Sequence, residues 1–171
     1  MKLSRFALIV AVLLTAVGLL VPQTHSQAAV EVKVTPQTIT LTEAQINSSY
    51  WVTNPARRSV TNRHVTLGDG TVTISETVKF AQGKTHEIVS LWKPSVNRAG
   101  VLIFGFQSVT VDGKPATPSE RNRWRFSYHS TMVRDAIRDY VRKQVKAPFK
   151  YTSITVTTGQ VAINVNVYTA K

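Results

Sequence analysis

The sequence contains no cysteine. That excludes a disulfide scaffold, a cysteine zinc site, thiol catalysis and a lipid anchor attached through cysteine. Acidic residues are scarce too: 9 Asp+Glu stand against 21 Lys+Arg, for a formal net charge of +12. Yet only 18% of residues are charged and 43% are hydrophobic. A disordered polycation would combine high net charge with low hydrophobicity, so this chain is expected to fold. Histidine is limited to His25, His64, His86 and His129, with no H-x-x-x-H or H-E-x-x-H spacing for a metal. Adjacent His86 and Glu87 point to opposite faces of a strand, and the histidines read as surface or cap residues. Gly105-Phe106-Gln107-Ser108 is not the G-x-S-x-G elbow of a serine hydrolase. No glycine-rich loop precedes a helix in phosphate-binding form. Asp135 and Asp139 share a helix face, but Arg138, Arg142 and Lys143 lie close by, so helix salt bridges account for them. No enzyme activity, cofactor or metal is expected.

The N-terminus carries an address. Lys2 and Arg5 precede an apolar run from Phe6 to Val21, Pro22 ends it, and Ser26-Gln27-Ala28 is a small-x-small site. These are the three parts of a secretory signal peptide. The run of 16 residues makes roughly 24 Å of helix at about 1.5 Å per residue. That is short against a ~30 Å hydrocarbon core. Cleavage near Ala28 and retention as an uncleaved anchor both fit, and either places residues 29–171 outside the cytoplasmic membrane, extracellular or periplasmic. Residues 1–28 are therefore read as the signal segment and 29–171 as one domain. Without Lys2 and Arg5 the domain keeps 19 basic and 9 acidic side chains, a net of +10 over 143 residues.

The domain reads as α+β. Glu31 to Thr40 is a short extended lead. A helix over Thr42 to Val52 follows, opened by a capping box that either Thr40 with Glu43 or Thr42 with Gln45 can form. Strands are predicted over Val60 to Gly68, Thr71 to Phe80, Thr85 to Lys93 and Val101 to Asp112, with Pro94 to Gly100 as a break. Asp69-Gly70 signals a hairpin whose two turn residues both take positive φ. Val101-Leu102-Ile103-Phe104 is apolar on both phases and predicts burial on both faces. Asp112 to Ser119 reads as loop. Met132, Val133, Ala136, Ile137, Tyr140, Val141 and Val145 form an apolar stripe on a long helix from about Ser127 to Val145. A hairpin of Tyr151 to Thr158 and Val161 to Thr169 closes the chain. Such a set predicts one twisted antiparallel sheet covered on one face by the long amphipathic helix.

Three stretches carry a resemblance: Ile39-Thr40-Leu41-Thr42-Glu43-Ala44-Gln45-Ile46-Asn47, Val65-Thr66-Leu67-Gly68-Asp69-Gly70-Thr71-Val72-Thr73-Ile74, and Val109-Thr110-Val111-Asp112-Gly113-Lys114-Pro115. In their order, from Val30 to Tyr168, they resemble the LmeA-like phospholipid-binding domains of the tubular lipid-binding superfamily, each half of a bactericidal/permeability-increasing protein. The resemblance implies a curled sheet wrapped round the long helix, an apolar groove for acyl chains, and no catalytic residues. Trp51, Trp92, Leu102, Phe104, Phe106, Val133, Ile137 and Val141 are the candidates to line that groove, or simply a packed core, since both need apolar residues in the same places. The chain departs from the family in the basic, aromatic stretch Arg121-Asn122-Arg123-Trp124-Arg125-Phe126.

Basic residues concentrate there. Residues 113–150 hold ten Lys and Arg against Glu120, Asp135 and Asp139, a local excess of +7. Arg134, Arg138 and Arg142 are spaced by four and share a helix face. Together with Arg121, Arg123 and Arg125 they form either a solvated face or a contact for an anionic membrane or envelope polymer. Trp124, Phe126 and Tyr128 suit such an interface. Nucleic acid is not an expected partner, because an exported protein rarely meets it and no recognition motif is present. The sequence leaves the oligomeric state open. Two functions follow as expectations: an exported module for a lipid or acyl chain that docks to anionic surfaces, or an envelope interaction protein with a dry core and an acidic partner.

Overall fold

Alternating apolar residues build most of the architecture seen in the computed structural model, which describes residues 31–54, 59–80, 83–125 and 129–170. Residues 1–28, read above as the signal segment and containing His25, lie outside the described residues, as do Phe126, Ser127 and Tyr128. Apart from Glu31, all described residues belong to the unit Val32–Lys171. The order is β1 (Val32–Thr42), α1 (Glu43–Asn47), α2 (Tyr50–Thr53), β2 (Val60–Gly68), β3 (Thr71–Lys79), β4 (Thr85–Val96), β5 (Leu102–Val111), β6 (Lys114–Pro115), α3 (Pro118–Arg125), α4 (His129–Val145), β7 (Phe149–Thr157) and β8 (Gln160–Ala170).

The class is α+β with antiparallel strands, but the strands form two sheets rather than one: β1-β8-β7 and β2-β3-β4-β5-β6. Alternation fixes which way a side chain points, not which strand lies beside it, so the division is invisible in the sequence. The sheets meet through turns. Gly70 N–H donates to the Val156 carbonyl (3.0 Å), Gly159 N–H to that of Leu67 (3.2 Å), and Tyr151 N–H to that of Gly100 (3.3 Å). Helix α4 packs on α2, β5, α1 and β1. Its buried stripe is Met132, Val133, Ala136, Ile137 and Val141. In one cluster Val133, Ala136, Ile137 and Val141 of this stripe join Val72, Ile74, Trp92 and Leu102 of the larger sheet to Val161, Ile163 and Val165 of the smaller. Each large aliphatic side chain so buried contributes about 1.5–3 kcal/mol, so this stripe dominates the placement of α4. A second cluster, Val60, Val78, Ile88, Val109 and Trp124, lies under α3.

Several sequence expectations change. The lead before the first helix is a full strand, paired with β8 from Val32↔Ala170 to Thr42↔Gln160. The first helix starts with the Thr42–Gln45 capping box but splits into α1 and α2 at Ser48 and Ser49. The Ser48 hydroxyl donates to the Gln45 carbonyl (3.1 Å), the local bonding by which serine competes with a helix. Strand β4 runs through Pro94 to Val96. Its last β3 partner is Trp92, facing Val72, so beyond that point Pro94 lacks no bond to β3. Leu102 is buried, but Val101 and Ile103 are 49% and 40% exposed. A doubly apolar pattern permits burial on both faces without requiring it.

Both Asp-Gly pairs close two-residue hairpins, Gly68↔Thr71 as expected and Val111↔Lys114 in addition, but they differ in backbone. At Asp69-Gly70 only the glycine has positive φ, +69°, and its N–H is engaged by β7. At Asp112-Gly113, read as loop, both residues are positive, +50° and +74°, which is the two-residue hairpin geometry. The Asp112 carboxylate faces His86 Nδ1 (2.7 Å) and accepts from Glu87 N–H (2.9 Å). The His86 contact, then the Glu87 bond, hold its carboxyl below the ordinary 3.8. A lowered carboxyl stabilises the fold above its unfolded value and loses that contribution as pH falls through the lowered one. NMR titration is expected to place Asp112 below 3.8, and His86→Gln to move it upward; an unmoved value would disprove the contact.

Gly100 joins the sheets at closer range. It has φ +74°, and a Cβ there would stand 3.1 Å from Lys150 Cβ and 3.2 Å from the Tyr151 carbonyl. Gly100→Ala is expected to cost about 1–2 kcal/mol in denaturant unfolding, from the left-handed backbone and the crowding together.

Candidate functional site: a basic helix pinned over a buried ion cluster

The site begins with an irregularity in β2. Between Thr61↔Thr77 and His64↔Ser75 the register shifts, so Asn62 and Arg63 together face Glu76. Asn62 takes φ +50°. A bulge of this kind re-aims the neighbouring side chain, here turning Arg63 inward. On β3, Glu76 occupies the inward phase of Val72, Ile74 and Val78. The Arg63 and Glu76 side chains are 1% and 2% exposed, and Arg63 Nε donates to Glu76 Oε2 at 3.0 Å. Arg63 Nη1 also donates to the Trp51 carbonyl (3.4 Å). The second carboxylate oxygen stands against His129 Nδ1, at the start of α4, whose side chain is 7% exposed. The His129 ring lies 5.0 Å from that of Trp124, the buried residue of α3.

A chain of contacts thus runs Arg63–Glu76–His129–Trp124, tying α3 and the start of α4 to the sheet. Burying a carboxylate is costly unless it is paired, and here both oxygens have partners. Sequence reasoning missed this cluster and read His129 as a surface or cap residue. His64 and His86 do sit beside carboxylates nearer the surface, Glu43 and Asp112. The signal for the cluster was present: Glu76 is a charge in the apolar phase of a strand. What the sequence lacks is the bulge that brings Arg63 opposite.

Helix α3 was also missed, although Thr117-Pro118-Ser119-Glu120 carries the start signature of a capping box with proline at the first helical position. Thr117 N–H and its hydroxyl both donate to Glu120 Oε2 (2.8 Å each). These bonds, the backbone one first, hold the Glu120 carboxyl below its ordinary 4.5. With Trp124 turned inward, Arg121, Arg123 and Arg125 are exposed. Between α3 and β5 lies a cleft of roughly 440 Å³ lined by Phe106, Gln107, Pro118, Arg121, Asn122 and Arg125. Strand β5 bulges there: Leu91 faces Ser108 and Trp92 faces Phe106, leaving Gln107 as the extra residue.

The remaining basic residues do not join this group. Arg138 bonds Asp135 (2.9 Å) and lies 3.6 Å from Asp139, and Arg134 lies 3.9 Å from Asp135. The row of three arginines on α4 is therefore largely neutralised at its middle. Arg142 and Lys143 in the last turn of α4, Lys146 just after it and Lys150 at the start of β7 are exposed. The last turn of α4 is about 20 Å from His129 at ~1.5 Å per residue, well beyond a Debye length of about 8 Å at physiological salt. The +7 segment is thus two electrostatically independent patches with an ion-paired stretch between them.

The candidate groove residues fall in the core. Trp92, Leu102, Val133, Ile137 and Val141 are 0–2% exposed and share one cluster, with Trp51, Phe104 and Phe106 partly buried against it. The Trp51 indole N–H donates to Asp139 Oδ2 (2.5 Å), and Trp92 and Phe106 meet edge to face at 5.2 Å. Among the described residues no cluster of His, Asp and Glu is placed to hold a metal, and no helix is long and apolar enough to cross a membrane. Comparison of the chain with protein-family models, curated proteins and solved structures finds no match.

Proposed function

We propose that this chain is an exported, non-enzymatic interaction module that docks on an anionic surface of the cell envelope through helix α3. The observation that carries the reading is the arrangement of α3 itself. Its three arginines face outward on a short helix whose inward Trp124 is held by the buried Arg63–Glu76–His129 cluster. A helix anchored this way presents its guanidiniums without first having to be ordered, which favours binding. Export rests on Lys2, Arg5, the apolar run and the Ser26-Gln27-Ala28 site.

The packing supports the dry-core reading over an acyl groove. A chain lying between the sheets and α4 would have to part Val133, Ile137 and Val141 from Trp92 and Leu102, which now share one cluster. The curled, lipid-filled arrangement of the tubular lipid-binding domains would require that opening. Organic extraction of the purified protein followed by mass spectrometry is expected to release no stoichiometric lipid. Docking is tested by sedimentation with anionic and neutral vesicles at low and high salt. Binding to the anionic vesicles alone, weakening as salt rises, is expected. Equal behaviour in all four conditions would sink the proposal.

A further inference from the structure

We propose that the corner where the last turn of α4 meets β7 is a second binding surface, for a flexible polymer of phosphate groups, and that the protein tethers this polymer to the surface held by α3. The corner stands on its own observations, and only the tethering role rests on the α3 docking reading. Three parts of the chain converge there. Gly100, in the turn after β4, accepts from the Tyr151 N–H of β7 (3.3 Å). Burial pushes the Tyr151 hydroxyl up to about 12, with Arg138 and Arg142 of α4 acting against that rise. Arg98, Arg142, Lys143, Lys146 and Lys150 are thereby brought to one corner, and all are exposed. None of these side chains forms an ion pair among the described residues. Neither residues 88–111 nor residues 140–171, the stretches that supply them, contain Asp or Glu.

The helix dipole favours cations in the last turn of a helix, which accounts for Arg142 and Lys143. It does not account for Arg98 or Lys150, which other elements carry to the same corner. Nor does it account for Lys146. That residue follows α4 with φ +52°, its N–H bonded to the Arg142 carbonyl (3.1 Å). Glycine takes this left-handed position freely, whereas lysine is strained there. A cation held against the preference of its own backbone points to a use for the charge.

The directions of the cations decide the partner. Arg142 and Lys143 are helix neighbours, about 100° apart around the axis. Lys150 lies between Phe149 and Tyr151, which pack against the core, so it stands on the outward face of the smaller sheet. A flat bilayer meets one of these directions at a time. A flexible chain charged on every repeat can follow the corner, meet them all and release its condensed counterions. Phosphate oxygens accept from the arginine fork and from the lysine point charge alike. About 20 Å of α4 separates this corner from α3, so both ends can be occupied at once.

The test is calorimetry of the full chain with inorganic polyphosphate as the probe. Five contacts at about 0.7 released counterions each give a slope near −3.5 in log affinity against log salt, roughly a hundredfold loss over a fourfold rise in salt. Arg98→Gln/Lys146→Gln/Lys150→Gln is expected to cut that slope to about −1.4. Lys146→Gly is expected to raise the urea midpoint while weakening polyphosphate binding. Arg121→Gln/Arg123→Gln, on α3, is expected to change this binding less than about twofold, its sites lying more than a Debye length away. No binding at low salt, or equal losses from the α3 and corner variants, overturns the proposal. Tethering is read separately. Beads carrying polyphosphate are expected to capture anionic vesicles only when the protein is present, and Arg121→Gln/Arg123→Gln is expected to reduce capture with polyphosphate binding intact. Polyphosphate binding without vesicle capture by the unaltered protein would sink the α3 docking reading and the tether, and leave the corner site standing.

Discussion

Glu76→Ala is expected to lower the stability of the fold by about 3–5 kcal/mol, the usual cost of removing one partner from a buried ion pair. Arg63, with a side chain 1% exposed, would be left as a buried charge without its carboxylate. His129 would lose the oxygen that its ring now faces. The pair itself is not expected to be a large net source of stability, because taking two charges out of water offsets most of their attraction. The double substitution Arg63→Met/Glu76→Leu therefore serves as the control. It is expected to recover most of that loss, since it removes both charges and fills similar volume, while the cost of leaving His129 without its carboxylate remains. Urea unfolding of the three proteins separates the effects. If the double variant were as unstable as Glu76→Ala, shape rather than charge pairing would hold this region.

Replacing Arg121, Arg123 and Arg125 together with Gln is expected to weaken docking on anionic vesicles by a factor of roughly 100. Each basic side chain near an anionic surface contributes about 1 kcal/mol, and about 1.4 kcal/mol is tenfold in affinity. All three positions on α3 are exposed, Arg121 and Arg125 on one flank of the helix and Arg123 on the other, and thermal unfolding is expected to shift little, because none lies in the core. Replacing Arg134 and Arg138 instead is expected to have little effect on docking, because Asp135 and Asp139 already balance them. If the two sets of variants lost affinity equally, net charge rather than the α3 surface would govern binding.

The strands were the legible part of this fold. The phases of Val65 and Leu67, of Val72, Ile74 and Val78, and of Val161 to Val167 all match the observed burial. The stripe on α4 was legible for the same reason: a single element carries its own period. Pairing was not, because no local pattern says that β1 joins β8 or that β7 and β2 lie in different sheets. The site divides along the same line. The arginines of α3 and their excess of charge were visible as a run, and the capping box beneath them could have been read. The Arg63–Glu76–His129 cluster depended on a register shift that inserts one residue in β2, and on three elements meeting in space. Charge counting along the chain also merged two patches that the length of α4 keeps apart.

Hydrogen–deuterium exchange of the full chain, with and without anionic vesicles, tests most directly whether α3 is the docking surface. Vesicle-induced protection confined to Pro118–Arg125 and the adjoining bulge of β5, and reversed by added salt, is the expected result. Protection centred on the far end of α4, or none on α3 while the protein is vesicle-bound, would contradict it.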